Sequence, residues 1–457
     1  LTMSIGGSAS ITSLPSCLCL LALLALLITY FNFVSRNPTN YLSALIHQSS
    51  LQFKNSWKYF HRVGDFDALR LRIEQSRAFE TVISSKALHN ASDAREGAWS
   101  VSEFWINQED TNVPLFYVKS IQSSRLETET LAYNTTRRQS DASTCVLYLH
   151  GGGWIFNSPK TYERVGRLIA EMSGFNVFLP NYRKAPQFPH PYPLLDVLLT
   201  LKHISQQGYK KIILMGDSAG GNESAALMHA LFSPSAKHTP DEESWMQQVE
   251  VVCSILIYPA LFFLPSDPNH FEAYRGDHGK YSPFIDAQSG FDMWRVFECK
   301  NDTCRGASKY SAMEFFAPLS VDYSKEVYEN IPRTMIVVSD GDVLRDDGRA
   351  YFERLREATH EAQEIPLAHE ETTTSNGVVT GKGLAQSTED DETTDAQKTT
   401  PRVPAAPIPK HALLQVGHSF HGFLTSDMFP FSRKRDMIKK IVRWMEICLD
   451  DISEEFK

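Results

Sequence analysis

The sequence predicts an α/β fold, a mostly parallel central sheet with helices on both faces. Two observations carry the prediction. From residue 145 onward, short apolar runs alternate with longer helical stretches, and such alternation builds parallel sheets covered on both sides. Two glycine-rich turns, His150-Gly151-Gly152-Gly153-Trp154 and Gly216-Asp217-Ser218-Ala219-Gly220, each follow directly on an apolar run. The composition, 42% hydrophobic and 22% charged over 457 residues, is that of an ordinary globular chain.

Taken in order, residues 1–16 are an uncharged tail and residues 17–34 an uncharged apolar segment. Eighteen helical residues span about 27 Å, near the thickness of a bilayer core. No small-residue cleavage site follows, because residues 30–34 are bulky, so an uncleaved transmembrane anchor is expected. Residues 36–90 carry amphipathic helical patterning with several aromatics. Strands are expected at 101–106, 113–118, 145–149, 177–179, 212–215, 251–257, 334–338 and 412–416. Helices are expected at 160–172, 192–206, 221–232, 345–359 and 434–449, all within one domain at 95–455.

Two stretches interrupt the alternation. Residues 261–320 are long and rich in Phe, Tyr and Trp, and most of these rings are expected to form a local core. Residues 361–410 are rich in Thr, Glu, Asp, Ser and Pro. A stretch of that composition buries too little apolar surface to offset its ordering entropy, so disorder is expected there.

The turn at 216–220 follows the apolar run 212–215 and precedes an Ala-rich helical stretch. Strand, tight turn and helix are the context a Gly-x-Ser-x-Gly nucleophile elbow requires. The glycines permit close backbone approach, and the helix start lends positive partial charge where an oxyanion would form. Three consecutive glycines at 151–153 expose N–H groups to a ligand. Acyl transfer needs such donors, so Gly152, Gly153 and Ala219 are the expected oxyanion hole. Gly151 is assigned to the turn, His150 to anchoring the loop, and Asp217 to holding it by hydrogen bonds. A serine also needs a base, itself oriented by a third group. Two later strand ends supply candidates: Asp340, Asp342, Asp346 and Asp347 after 334–338, and His418 and His421 after 412–416. Asp346 and Asp347 suit a helix N-terminus.

His-Gly-Gly-Gly-Trp followed by Gly-Asp-Ser-Ala-Gly-Gly-Asn resembles the hormone-sensitive-lipase branch of the α/β-hydrolases. Within that branch it is similar to the arylacetamide deacetylases and neutral cholesterol ester hydrolases. Asn181-Tyr-Arg-Lys-Ala-Pro-Gln-Phe-Pro-His-Pro191 also resembles a segment of the branch. The resemblance covers roughly residues 101–446. It implies an α/β-hydrolase core at 95–455, a helical cap from residues 36–90 and 261–320, and hydrolysis of carboxylic esters. Its acid motif, Asp-x-Leu-x-Asp-Asp/Glu, falls on Asp342, and its His-Gly-Phe motif falls on His421. Ser218, Asp342 and His421 are therefore the expected catalytic residues. The insertion at 361–410 departs from the family, which joins these elements by a short loop. Some relatives are small-molecule receptors that lost the histidine; the presence of His421 favours an enzyme over a receptor. An arylformamidase-type amidase is the other alternative.

No cysteine and histidine set has zinc-ligand spacing, and no metal or organic cofactor is expected. The expected partners are a small apolar ester or amide and a membrane, through the anchor. A net charge of −9 without a basic stripe argues against nucleic acid. Arg36 beside the anchor favours a cytosolic domain. Glycosylation triplets at Asn90, Asn134 and Asn301, and a possible ring between Cys299 and Cys304, favour an oxidising lumen. The resemblance implies the lumen of the endoplasmic reticulum, which is the expectation adopted. Asn222 also heads a triplet, but at the elbow it is expected to be buried.

Overall fold

The computed structural model describes residues 99–107, 114–123, 142–276, 285–299, 308–323, 325–360, 362–366, 409–426 and 430–455. The expected anchor, the cap segment at 36–90 and all three glycosylation candidates lie outside these residues. Among the described residues, no helix is long and apolar enough to cross a membrane.

Nine strands form one sheet in the order β1-β2-β4-β3-β5-β6-β7-β9-β8. They are β1 (Trp99–Asn107), β2 (Pro114–Ser123), β3 (Thr144–Leu149), β4 (Asn176–Pro180), β5 (Lys211–Asp217), β6 (Glu250–Ile257), β7 (Arg333–Gly341), β8 (Ala362–Pro366) and β9 (His411–Phe420). β1 and β2 run antiparallel, as does β2 against β4, and the other pairs are parallel. This is the α/β-hydrolase architecture that the sequence led one to expect.

The helices are α1 (Pro159–Ser173), α2 (Tyr192–Gln206), α3 (Ala219–Phe232), α4 (Pro240–Met246), α5 (Ala287–Phe297), α6 (Lys325–Asn330), α7 (Arg345–Thr359) and α8 (Phe431–Glu455). The strand alternation divides the core. Val146, Ile213, Ile255 and Val337 point to the face covered by α1 and α8. Leu147, Leu214, Leu256 and Ile336 point to the face covered by α2, α3 and α7.

Several boundaries differ from expectation. β8 occupies residues 362–366, inside the stretch expected to be disordered, and pairs with β9 from Ala362↔His411 to Pro366↔Gln415. An edge strand needs only backbone pairing on one side, so its polar side chains do not prevent it. β7 and β9 also run further than expected, to Gly341 and Phe420. Helix α3 begins two residues early, at Ala219, because the turn closes directly into it.

The described parts of segment 261–320 form α5 and several single turns. Phe262, Phe263, Tyr274, Trp294, Phe297, Phe315 and Phe316 are buried together in the core shared with α2 and α3. These rings are core, but of the main core on this face of the sheet and not of the separate local one expected.

Close backbone packing fixes the junction of β3, β5 and α3. A Cβ at Gly220 would lie 2.0 Å from the Leu149 carbonyl oxygen, and one at Gly216 would lie 2.2 Å from the Gly220 carbonyl oxygen. Neither backbone can yield, because each belongs to a paired strand or a helix start. Gly174 is different: its φ is +79° but nothing lies within 4 Å. Gly220→Ala should therefore destabilise by about 3 kcal/mol or prevent folding, whereas Gly174→Ala should cost about 1 kcal/mol. Urea unfolding of both variants checks this, and equal losses would refute the packing argument.

Candidate active site

The strand ladders bring three distant loops to one point. β5 pairs with β6 up to Asp217↔Ile257, and Ser218 N donates to the Ile257 carbonyl at 2.9 Å. β7 pairs with β9 up to Gly341↔Phe420. Their next residues, Asp342 and His421, thus leave the sheet side by side. A Cβ on Gly341 would lie 2.7 Å from the Ser419 carbonyl oxygen, so this terminal pairing requires glycine.

The outcome is a continuous polar line. Ser218 Oγ lies 2.9 Å from His421 Nε2. His421 Nδ1 lies 3.0 and 2.9 Å from the two oxygens of Asp342. Asp342 is fully buried, with Ser218 and His421 nearly so, and Leu344 N donates to Asp342 Oδ1 at 2.8 Å. The competing residues lie elsewhere. Asp340 accepts from Gln415 Nε2 at 2.6 Å, and His418 is exposed on the end of β9.

Ser218 sits in a strained backbone state, φ 55° and ψ −120°, of a kind that persists only where the surroundings over-determine it. Here the Ser218 carbonyl accepts from Asn222 N at 3.0 Å and Ala260 N at 3.2 Å. Asn222 is buried, as expected, and its Nδ2 donates to the Phe316 carbonyl at 3.0 Å.

The glycine loop is held from below. Gly151 N donates to Asp217 Oδ1 at 2.9 Å and is therefore engaged, in keeping with its expected role in the turn. Asp217 also accepts from Tyr148 at 3.1 Å, Tyr162 at 2.8 Å and Tyr258 at 3.3 Å. Burial pushes the Asp217 carboxyl above its usual range even with these donors around it. His150 stacks on Tyr182 with ring centroids 4.4 Å apart, and the Tyr182 hydroxyl donates to the His150 carbonyl at 2.5 Å. Gly152 and Gly153 adopt φ +129° and +60°. Among the described residues, the N–H groups of Gly152, Gly153 and Ala219 have no acceptor.

Gly153 and Ala219 border a small, partly open cleft of about 250 Å³ lined also by Trp154, Ser218, Met293 and Trp294, among others. Met293 narrows it: a Cβ on Gly153 would lie 2.4 Å from the Met293 sulfur.

Two expectations need correction. Asp346 and Asp347 do stand in the first turn of α7 but do not cap it. Asp346 accepts from Ala273 N at 2.9 Å. Asp347 accepts from Leu261 N and Phe262 N at 2.9 and 3.0 Å, and from the Tyr274 hydroxyl. The unpaired N–H groups of a buried loop are more demanding partners than those of a helix end near solvent. Cys299 is disulfide-bonded, and Cys304 lies outside the described residues. Met293 and the three tyrosines around Asp217 carried no sequence signal, since each reads as an ordinary buried residue of its helix or strand. Among the described residues, no cluster of His, Cys, Asp and Glu could hold a metal ion.

A family model described as α/β hydrolase fold matches residues 146–370. The chain is 27% identical over 265 residues to an arylacetamide deacetylase of Bos taurus, across 47% of this chain and 63% of that protein. It is 24% identical over 244 residues to the gibberellin receptor GID1A of Arabidopsis thaliana, across 51% of this chain and 62% of that one. The chain thus spans about three-fifths of the length of these curated relatives. An esterase structure from Pyrobaculum calidifontis superposes with a TM-score of 0.54 at 18% identity, covering 83% of this chain and 92% of that one.

Burial raises the Asp347 carboxyl to about 7, against the pull of Tyr274, Phe262 and Leu261, and the nearby Asp342 charge adds to the rise. A carboxyl raised above its unfolded value stabilises fully below the unfolded value, and that contribution is lost as pH rises through the folded one. The thermal stability of the native chain relative to Asp347→Asn should therefore decline from about pH 4 to about pH 7. A constant difference across that window would refute it.

Proposed function

We propose that this chain is an α/β-hydrolase of the hormone-sensitive-lipase branch and that it hydrolyses carboxylic esters through an acyl-enzyme on Ser218. The observation that carries this reading is the line from Ser218 Oγ through His421 to Asp342, with 2.9 Å at both contacts, beside three unengaged N–H groups. His421 accepts the serine proton as Oγ attacks the carbonyl carbon. Asp342 holds the Nδ1–H side of the ring and stabilises the imidazolium. The N–H groups of Gly152, Gly153 and Ala219 take the negative charge on the former carbonyl oxygen. His421 then protonates the leaving alcohol, and water activated by the same ring releases the acid. An arylacetamide can follow the same steps with an aniline leaving, and its hydrolysis belongs to this proposal.

The small apolar cleft supports a short acyl group, with Met293 as the wall that limits it. A receptor on the same fold, as in the gibberellin receptor, needs no general base. His421 within 2.9 Å of Ser218 weighs against that reading here.

Ser218→Ala and His421→Ala should each lower kcat on the order of 10⁴-fold or more, because such residues act as a unit. Asp342→Asn should lose about 10⁴-fold. Asp340→Asn and His418→Ala should stay near wild type. On a p-nitrophenyl ester series from acetyl to palmitoyl, plus an arylacetamide, kcat/KM should peak at short chains. Met293→Ala should move the peak to longer ones. A reversal of His418 and His421 would reassign the base, and equal rates on acetyl and palmitoyl esters would dismiss the acyl limit.

The proposal extends to location. The apolar segment at 17–34 and the triplets at Asn90, Asn134 and Asn301 support an anchor with the enzyme domain in the endoplasmic reticulum lumen. Expressed with microsomes, the chain should run heavier and collapse to its unmodified mass after glycosidase treatment. Digestion of the domain by added protease without detergent would instead place it in the cytosol.

A further inference from the structure

Helix α3 carries an acid that the proposed reaction leaves unused. Glu223 follows Ser218 by five residues and is 1% exposed. Among the described residues, neither of its carboxyl oxygens makes a full hydrogen bond, and the same holds for the Trp154 indole nitrogen. Yet the indole N–H is near enough to act on the Glu223 carboxyl, as is the Asp196 carboxylate. Asp196 is itself paired with Arg183 at 2.6 Å. The other titratable group beside Glu223 is the Tyr182 hydroxyl.

Trp154 has an unusual backbone. Its φ is +60°, which makes it the third consecutive left-handed residue after Gly152 and Gly153. Glycine takes such dihedrals freely, but a bulky L-residue is strained by about 1–2 kcal/mol and stays there only when its surroundings hold it. The ring is stacked on Phe297 at 4.3 Å with 2° between planes, and lies 4.4 Å from Trp294. Stacking fixes the plane of an indole but resists rotation within that plane weakly. A polar partner at the indole nitrogen removes the remaining freedom.

We propose that Glu223 is a positioning residue: it holds the indole edge of Trp154, and through Trp154 it keeps the Gly152 and Gly153 N–H groups aimed at the oxyanion. The inference rests on the esterase reading above. Burial, and then the Asp196 charge, push the Glu223 carboxyl well above its usual range, and the Trp154 indole N–H pulls the other way. A neutral acid can accept the indole N–H without the cost of a buried charge. Glutamine can do the same, and leucine cannot.

The test compares wild type with Glu223→Gln, Glu223→Leu, Trp154→Phe and the Trp154→Phe/Glu223→Leu double variant on p-nitrophenyl butyrate, with a thermal melt for each. Loss of alignment at the oxyanion affects the transition state and not ground-state binding. Glu223→Leu should therefore lower kcat about tenfold or more with KM within about twofold. Glu223→Gln should retain kcat within about twofold. Trp154→Phe, which keeps a smaller aromatic ring for the stack and removes the N–H, should lose at least as much as the leucine variant, and the double variant should be no worse than the more impaired single one. Losses that multiply in the double variant would overturn the proposal, as would full kcat in Trp154→Phe. The phenylalanine and glutamine variants carry the test if Glu223→Leu does not fold. Ser218→Ala separates the two readings. If it abolishes turnover while Glu223→Leu is unimpaired, only the positioning role falls; turnover surviving in Ser218→Ala, or an inert wild type, overturns both.

Discussion

The site depends on one buried carboxyl. Asp217 accepts from the Gly151 backbone and from tyrosines on β3, on α1 and after β6. It is the residue before Ser218, so the tie that holds the glycine loop belongs to the same turn as the nucleophile. A buried acceptor of this kind is costly unless satisfied, and a fully satisfied one makes the network rigid. Without it, Gly151 N would keep only the Tyr162 hydroxyl at 3.1 Å, and the N–H groups after it would be less firmly fixed relative to Ser218 Oγ.

Around that tie, the sheet supplies the rest by register. Ser218 is the first residue after β5, Asp342 the first after β7, and His421 the first after β9. Parallel neighbours end at one edge, so residues hundreds of positions apart in sequence meet there without any loop reaching for another. The candidate nucleophile and base are separated by 203 residues and by 2.9 Å. Open α/β sheets place their ligands at that edge for the same reason.

This explains what could be read from the sequence. Glycines at 151, 152, 216 and 220 were legible because backbone contact at 2.0–2.9 Å permits nothing larger, so the constraint is written in residue type; Gly153 meets only the Met293 side chain and is favoured instead by its φ of +60°. The choice of Asp342 over Asp340 and of His421 over His418 is not written locally. Each pair is two or three residues apart on a strand end, and the Gly341↔Phe420 pairing separates them. The resemblance supplied what local pattern could not. β8 was missed because its stability lies in pairing with β9, while its composition reads as polar linker. Asp346 and Asp347 were misread because their partners, Ala273, Leu261 and Phe262, lie more than 70 residues away.

The division of labour between sheet and cap follows from the same geometry. The proposed reacting groups sit on strand ends and α3, where backbone ladders fix them to fractions of an ångström. The wall opposite them comes from α5, through Met293 and Trp294, on a segment whose own regular structure is short. α5 is tied to the core by aromatic contacts such as Trp294 with Phe263 and Phe316. Asp347, at the head of α7, holds the start of the same segment by its backbone. Ring contacts tolerate changes in size better than a strand ladder tolerates a shift in register, and methionine adapts to irregular gaps. Substitutions on α5 can therefore reshape the cleft while the line from Ser218 to Asp342 stays in place. In the proposed reaction, the chemistry is set by hydrogen-bonded register, and the selectivity by packing that can vary independently of it.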